Sequence, residues 1–134
     1  MTQLFADTSF YIASVNPRDL LHQAALDVAG RFRGTLVTTE YVLVETGNWL
    51  ARTKDRGVFV DLLERLQADT RTLIVAASSV LFEQGVELYR GRLDKDWSLT
   101  DCISFVVMRQ HGLSEALATD HHFEQAGFTI LLRA

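Results

Sequence analysis

Four carboxylates stand where this chain's pattern turns from one element to the next. Asp7 closes the short apolar run Leu4-Phe5-Ala6 and is followed by Thr8 and Ser9, and Asp120 closes Ala116-Leu117-Ala118-Thr119 in the same way. In open parallel sheets, ligands bind beyond the carboxyl ends of the strands, so two acids at two such ends could face one crevice. Glu45 lies inside Tyr41-Val42-Leu43-Val44-Glu45-Thr46-Gly47-Asn48-Trp49-Leu50, where helical spacing makes Tyr41, Val42, Asn48 and Trp49 its neighbours on one face. A carboxylate in that company needs a partner, because an unpaired buried charge is costly. Asp101 comes just before the apolar stretch Cys102, Ile103, Phe105, Val106 and Val107, in the first turn of a helix and near the positive end of its dipole.

Each acid also has an ordinary structural reading. Asp7 and Asp120 fit helix N-caps, Asp101 fits the third helical position of a capping box with Ser98, and Glu45 fits a salt bridge to Arg52 or another arginine. The four together are harder to explain as caps. Were they to meet within ~5 Å, each pair would repel by about 3 kcal/mol at an effective dielectric near 20, which calls for a cation or altered protonation. With oxygen donors and no cysteine cluster, the cation would be hard: magnesium or manganese, keeping several waters. An ion so held can lower the pKa of a bound water and stabilise the charge on a leaving oxygen, so the reaction class is phosphodiester hydrolysis.

The elements that must position these acids follow from the rest of the pattern. Candidate strands are Gln3 to Ala6, Thr35 to Thr38, Thr72 to Ala76, Glu115 to Ala118 and Thr129 to Leu132, each short and mostly apolar, as strands covered on both faces should be. Helical stripes lie between them: Leu20, Leu21, Ala24, Ala25 and Val28; Val58, Leu62, Leu63 and Leu66; and Leu81, Val86, Leu88 and Tyr89. Pro17 precedes a helix start near Asp19, and Ser98 opens a helix that Gly112 stops. This alternation predicts an α/β fold with a parallel sheet. At 134 residues, 48% hydrophobic and 22% charged, the chain is expected to form one domain over residues 1–134. The lone Cys102 rules out cysteine-built metal or redox sites and points to a cytoplasmic setting. No run approaches the ~20 apolar residues of a membrane span, and no signal peptide is expected. A net charge of −4 argues against coating nucleic acid by bulk attraction, though not against a local basic patch.

These residues resemble a known family. Leu4-Phe5-Ala6-Asp7-Thr8-Ser9, Val44-Glu45 followed by Asn48, Ser98-Leu99-Thr100-Asp101-Cys102 and Ala118-Thr119-Asp120-His121-His122-Phe123 are similar to the successive acidic motifs of PIN-domain ribonucleases, and most of all to VapC-type toxins of bacterial toxin–antitoxin pairs. The resemblance implies a three-layer α/β/α arrangement around a five-stranded parallel sheet. It makes Asp7, Glu45, Asp101 and Asp120 the catalytic acids that hold Mg2+ or Mn2+, with Thr8 and Thr119 supporting them. It further implies RNA as substrate, a small antitoxin that blocks the site, and a homodimer. Cys102 departs from the family's usual alanine. The alternative is a PIN-like module that binds RNA or protein without cutting, and the complete set of four acids argues against it.

Two basic groups, Arg52, Lys54 and Arg56 on one side and Arg90, Arg92 and Lys95 on the other, are read as phosphate grips or as solvated surface. Asp96 and the segment Arg90 to Lys95 are read as solvated, flexible loop. His121 and His122 are assigned to packing or substrate contact rather than to a transition metal. Trp97 is the better candidate for stacking a base and Trp49 the better core residue. An aspartyl-nucleophile phosphatase would want a second aspartate where Ser9 stands, and a phosphorelay receiver a lysine placed unlike Lys54 or Lys95.

Overall fold

The computed structural model describes residues 2–133. Five strands form one parallel sheet: β1 (Gln3–Ala6), β2 (Thr35–Thr39), β3 (Thr72–Val75), β4 (Glu115–Leu117) and β5 (Thr129–Ile130). Their order is β3-β2-β1-β4-β5, so β1 is central and pairs Phe5 with Val37 on one side and with Ala116 on the other. Leu4, Phe5 and Ala6 are buried in succession. Consecutive buried residues point to both faces of a strand, so the sheet is covered on both sides, as the three-layer expectation requires. Strand addition runs one way from β1 to β3 and the other way from β4 to β5. The reversal falls between β1 and β4, the place where such sheets open a crevice.

Among the described residues, seven helices surround the sheet: α1 (Thr8–Val15), α2 (His22–Arg31), α3 (Glu40–Trp49), α4 (Arg56–Ala68), α5 (Ser79–Gly91), α6 (Leu99–Gln110) and α7 (His121–Gln125). None is long and apolar enough to cross a membrane. The second helix starts at His22 instead of near Asp19, because two side-chain turns come first. Asn16 Oδ1 accepts the Arg18 N–H at 3.0 Å and Asp19 Oδ1 the Leu21 N–H at 2.9 Å. At the far end of α6, Gly112 takes φ +66°, which an L side chain rarely adopts, and the helix stops there as its position predicts.

Two expectations are corrected by the packing. The polar run Arg90 to Lys95 is no free loop: it is the end of α5 and a turn in which Arg92 clamps Asp94 through two hydrogen bonds of 3.0 and 3.2 Å. The Arg92 guanidinium also lies 5.0 Å over the Trp97 ring. The tryptophans exchange roles. Trp97 is 4% exposed and meets Phe105 edge-on, with its indole N–H donating to Gln125 Oε1 at 3.0 Å, whereas Trp49 is 71% exposed. Phe105 in turn meets Phe123 edge-on at 4.9 Å, which ties α7 to α6 beneath the groove described below. Along the seam of α5 and α6, Gly85 lets the helices approach so closely that a Cβ there would lie 2.3 Å from Ile103 Cγ1.

Candidate active site

The site is built where β1 and β4 end. Asp7 is the N-cap of α1, and its backbone N–H donates to Leu117 O at 3.1 Å, so the end of β1 is fastened to the end of β4. Two residues beyond Ala118, Asp120 is the N-cap of α7. Asp101 is the third residue of α6 and completes a capping box with Ser98. Glu45 sits midway along α3, whose start is fixed by Thr39 accepting the Val42 N–H at 3.0 Å. All four acids line one groove of about 1530 Å³. Asp96, Arg18, Lys54 and Trp49 line it too.

The capping role and an open carboxylate coexist in the same side chain. Asp7 accepts the Ser9 hydroxyl at 3.0 Å and the Ser9 N–H at 3.5 Å, both on Oδ2. Asp101 accepts the Ser98 N–H at 3.2 Å and lies 3.1 Å from His122 Nδ1, again on Oδ2 only. Oδ1 of each therefore lies outside these bonds. Asp120 accepts the His122 N–H on Oδ1 at 2.9 Å, and its Oδ2 lies 3.1 Å from His122 Nδ1. Glu45 makes no hydrogen bond or ion pair among the described residues, so the bridge to Arg52 does not form.

The electrostatics are those of charges held close to one another. Burial, the field of Asp101 and, to a smaller extent, that of Glu45 push the Asp7 carboxyl up to about 7, against the opposing Ser9 hydroxyl and Thr8 backbone. Burial also raises Asp101, with Asp120 adding to the shift. The acids do not close into a compact cage. Among the described residues, the group of three candidate ligands whose donor atoms all lie within 4.8 Å of one another is Asp120, His121 and His122. Asp7, Glu45 and Asp101 line the groove without entering such a group of three. The uncommitted carboxylate oxygens are the donor chemistry a hard ion takes.

The supporting residues differ from those expected. The Thr8 hydroxyl donates to Val42 O at 3.3 Å, so what Thr8 offers Asp7 is its backbone. Thr119 is exposed, and its N–H donates to Ser9 Oγ at 3.2 Å. Ser9 and His122, which do touch the acids, were not singled out for that role by the sequence. Their signal was adjacency to Asp7 and Asp120. Of the basic residues, Lys54 lines the groove, while Arg56 donates to Ala51 O and Arg90 and Arg92 pair with Glu87 and Asp94. Asp96 is exposed on the rim.

Comparison with known proteins gives one consistent result. Residues 4–129 match the PIN-domain family model. The 23S rRNA-specific endonuclease VapC20 of Mycobacterium tuberculosis is 33% identical over 126 residues, covering 93% of this chain and 95% of that one. A crystal structure of the M. tuberculosis VapC20 toxin, described as cleaving the sarcin–ricin loop, superposes with a TM-score of 0.86 at 29% identity, over 94% of this chain and 96% of that one. VapBC2 of Rickettsia felis, bound to promoter DNA, matches in fold with a TM-score of 0.68 at 13% identity, covering 97% of this chain and 98% of that one.

Proposed function

This chain belongs to the PIN-domain family as a VapC-type member, and we propose that it is a divalent-metal-dependent endoribonuclease, the toxin of a toxin–antitoxin pair. The observation that carries the reading is the groove itself, where four acids from four separate elements face one space while Asp7 and Asp101 keep an oxygen outside the fold's own hydrogen bonds. Asp7, Glu45, Asp101 and Asp120 would hold Mg2+ or Mn2+. Bound there, the ion supplies a more acidic water and offsets the negative charge gathering on the leaving oxygen.

The chain's own residues orient the substrate and keep the acids apart from competing partners. Arg18 and Lys54 line the groove and pair with no acid among the described residues, so they are free to take phosphates on either side of the scissile bond. Trp49, one helical turn beyond Glu45 and exposed, offers a flat face to an unpaired base. Ser9 and Ser98 keep the charged carboxylates from turning back into the protein. From the family we infer a small antitoxin, a homodimer and a cytoplasmic setting.

The test uses purified protein stripped of any partner. RNA cleavage is expected with Mg2+ or Mn2+ and should stop in EDTA, with a 23S rRNA fragment containing the sarcin–ricin loop as the first substrate to try. Undiminished cleavage in excess EDTA would overturn the metal requirement. Failure to cut any RNA would return the chain to a binding module.

A further inference from the structure

His122 is the one described side chain that touches two of the four acids. Its Nδ1 lies 3.1 Å from Oδ2 of Asp101 and 3.1 Å from Oδ2 of Asp120, while its backbone N–H donates to Oδ1 of Asp120 at 2.9 Å. With the proton on Nδ1, the ring N–H donates to Asp101 on the first turn of α6 while the backbone N–H of the same residue donates to Asp120 in the turn between β4 and α7, so one residue links carboxylates carried by different elements. The ring is largely shielded, with 17% of the side chain exposed, and the adjacent Phe123 is fully buried against Phe105. Water therefore competes poorly for this proton.

We propose that His122 is a positioning residue that fixes the spacing and rotation of Asp101 and Asp120 before metal arrives. Two facing carboxylates repel and, left alone, rotate apart; a residue that donates to one through its ring and to the other through its backbone holds both. It also sets which oxygen is offered. Because His122 and the Ser98 N–H both occupy Oδ2 of Asp101, Oδ1 is the atom left for a ligand. The neutral imidazole suffices for this, and its Nδ1 is already committed, so His122 supports the site without ligating at that atom. Partners of this kind cost metal affinity when removed, because the ligands must then be ordered at the moment of binding.

The proposal rests on the four acids being metal ligands, and the test separates the two. Mn2+ binding is measured by titration calorimetry on the partner-free protein and on His122→Asn and His122→Phe, with thermal unfolding in EDTA as the fold control. Asparagine can place an amide N–H near the position of Nδ1, so His122→Asn should bind within about threefold of the parent. His122→Phe keeps a ring but no donor and should bind roughly 10–100-fold more weakly. At saturating Mn2+ the phenylalanine variant should recover much of its kcat with the KM for RNA unchanged, which a general loosening of the fold would not allow. Parent-like Mn2+ affinity in His122→Phe, or equal loss in both variants, would overturn the positioning role. Should His122→Phe not fold, His122→Ala makes the same comparison with asparagine. No Mn2+ binding by the parent would overturn the metal reading, and this proposal with it.

Discussion

Asp101 and Ile103 stand two residues apart on α6 and serve opposite regions. Ile103 faces the seam with α5, where Gly85 permits contact so close that a methyl group would collide with it. Asp101 faces the groove, where burial and, behind it, the neighbouring Asp120 raise its carboxyl and Oδ1 is left without a protein donor. The seam is packed for stability, whereas the groove keeps like charges together at a cost to the apo fold. α6 belongs to both regions but meets them with residues on different faces. Stability and activity should therefore respond to opposite substitutions.

The largest effect separating the two regions is expected at the acids. Asp7→Asn or Asp101→Asn should reduce RNA cleavage roughly a thousandfold while the metal-free protein melts no lower than the parent, because a repelling charge has gone. Retained turnover in folded Asp7→Asn would show that Asp7 is only a cap. The converse substitution is Gly85→Ala, expected to destabilise by about 1–3 kcal/mol in urea unfolding through overpacking against Ile103, with Mn2+ affinity unaltered in the folded fraction. An unchanged unfolding midpoint would break the contrast.

A subtler effect is in pH. Asp7 keeps its proton in the folded state up to about 7, whereas the unfolded chain releases it near the ordinary 3.8. Between those values the native state binds more protons than the unfolded state, so metal-free stability is greatest below about 4 as far as Asp7 is concerned and declines as pH rises through 7. Melting curves in EDTA from pH 4.5 to 8 should show this decline, and Asp7→Asn should flatten it. A slope of the opposite sign that survives in Asp7→Asn would remove Asp7 as its source. The smallest effect is expected from Trp49→Ala, which should leave stability within about 0.5 kcal/mol and raise the KM for RNA. A large loss of stability would place Trp49 back in the core.

What could be read from the sequence was whatever has a short-range signature. An apolar run ending in an acid marks both a strand end and its turn, so the five strands begin where expected and Asp7 and Asp120 fall at their ends. The cap and ligand readings were posed as alternatives, yet a carboxylate has two oxygens, and the cap of Asp101 uses Oδ2 and leaves Oδ1 outside the fold's bonds. The misreadings share another cause. Whether Trp97 or Trp49 is buried depends on Phe105 and Gln125, which only the folded chain brings to Trp97. Charge composition likewise does not reveal that Arg92 closes on Asp94 in the turn that follows α5. Gly85 looks like any helix glycine until α6 is laid across it.

The sheet order has a consequence for synthesis. β1 is made first, yet it is completed on one side by β4, and Ser9 is tied to Thr119 across 110 positions of chain. Until β4 emerges, Asp7 lacks the neighbours that finish the groove, and β1 waits with an open edge for its most distant partner. On the proposed function, a nascent chain is then an unarmed one. On that reading, no nuclease site is complete until the fourth acid has left the ribosome.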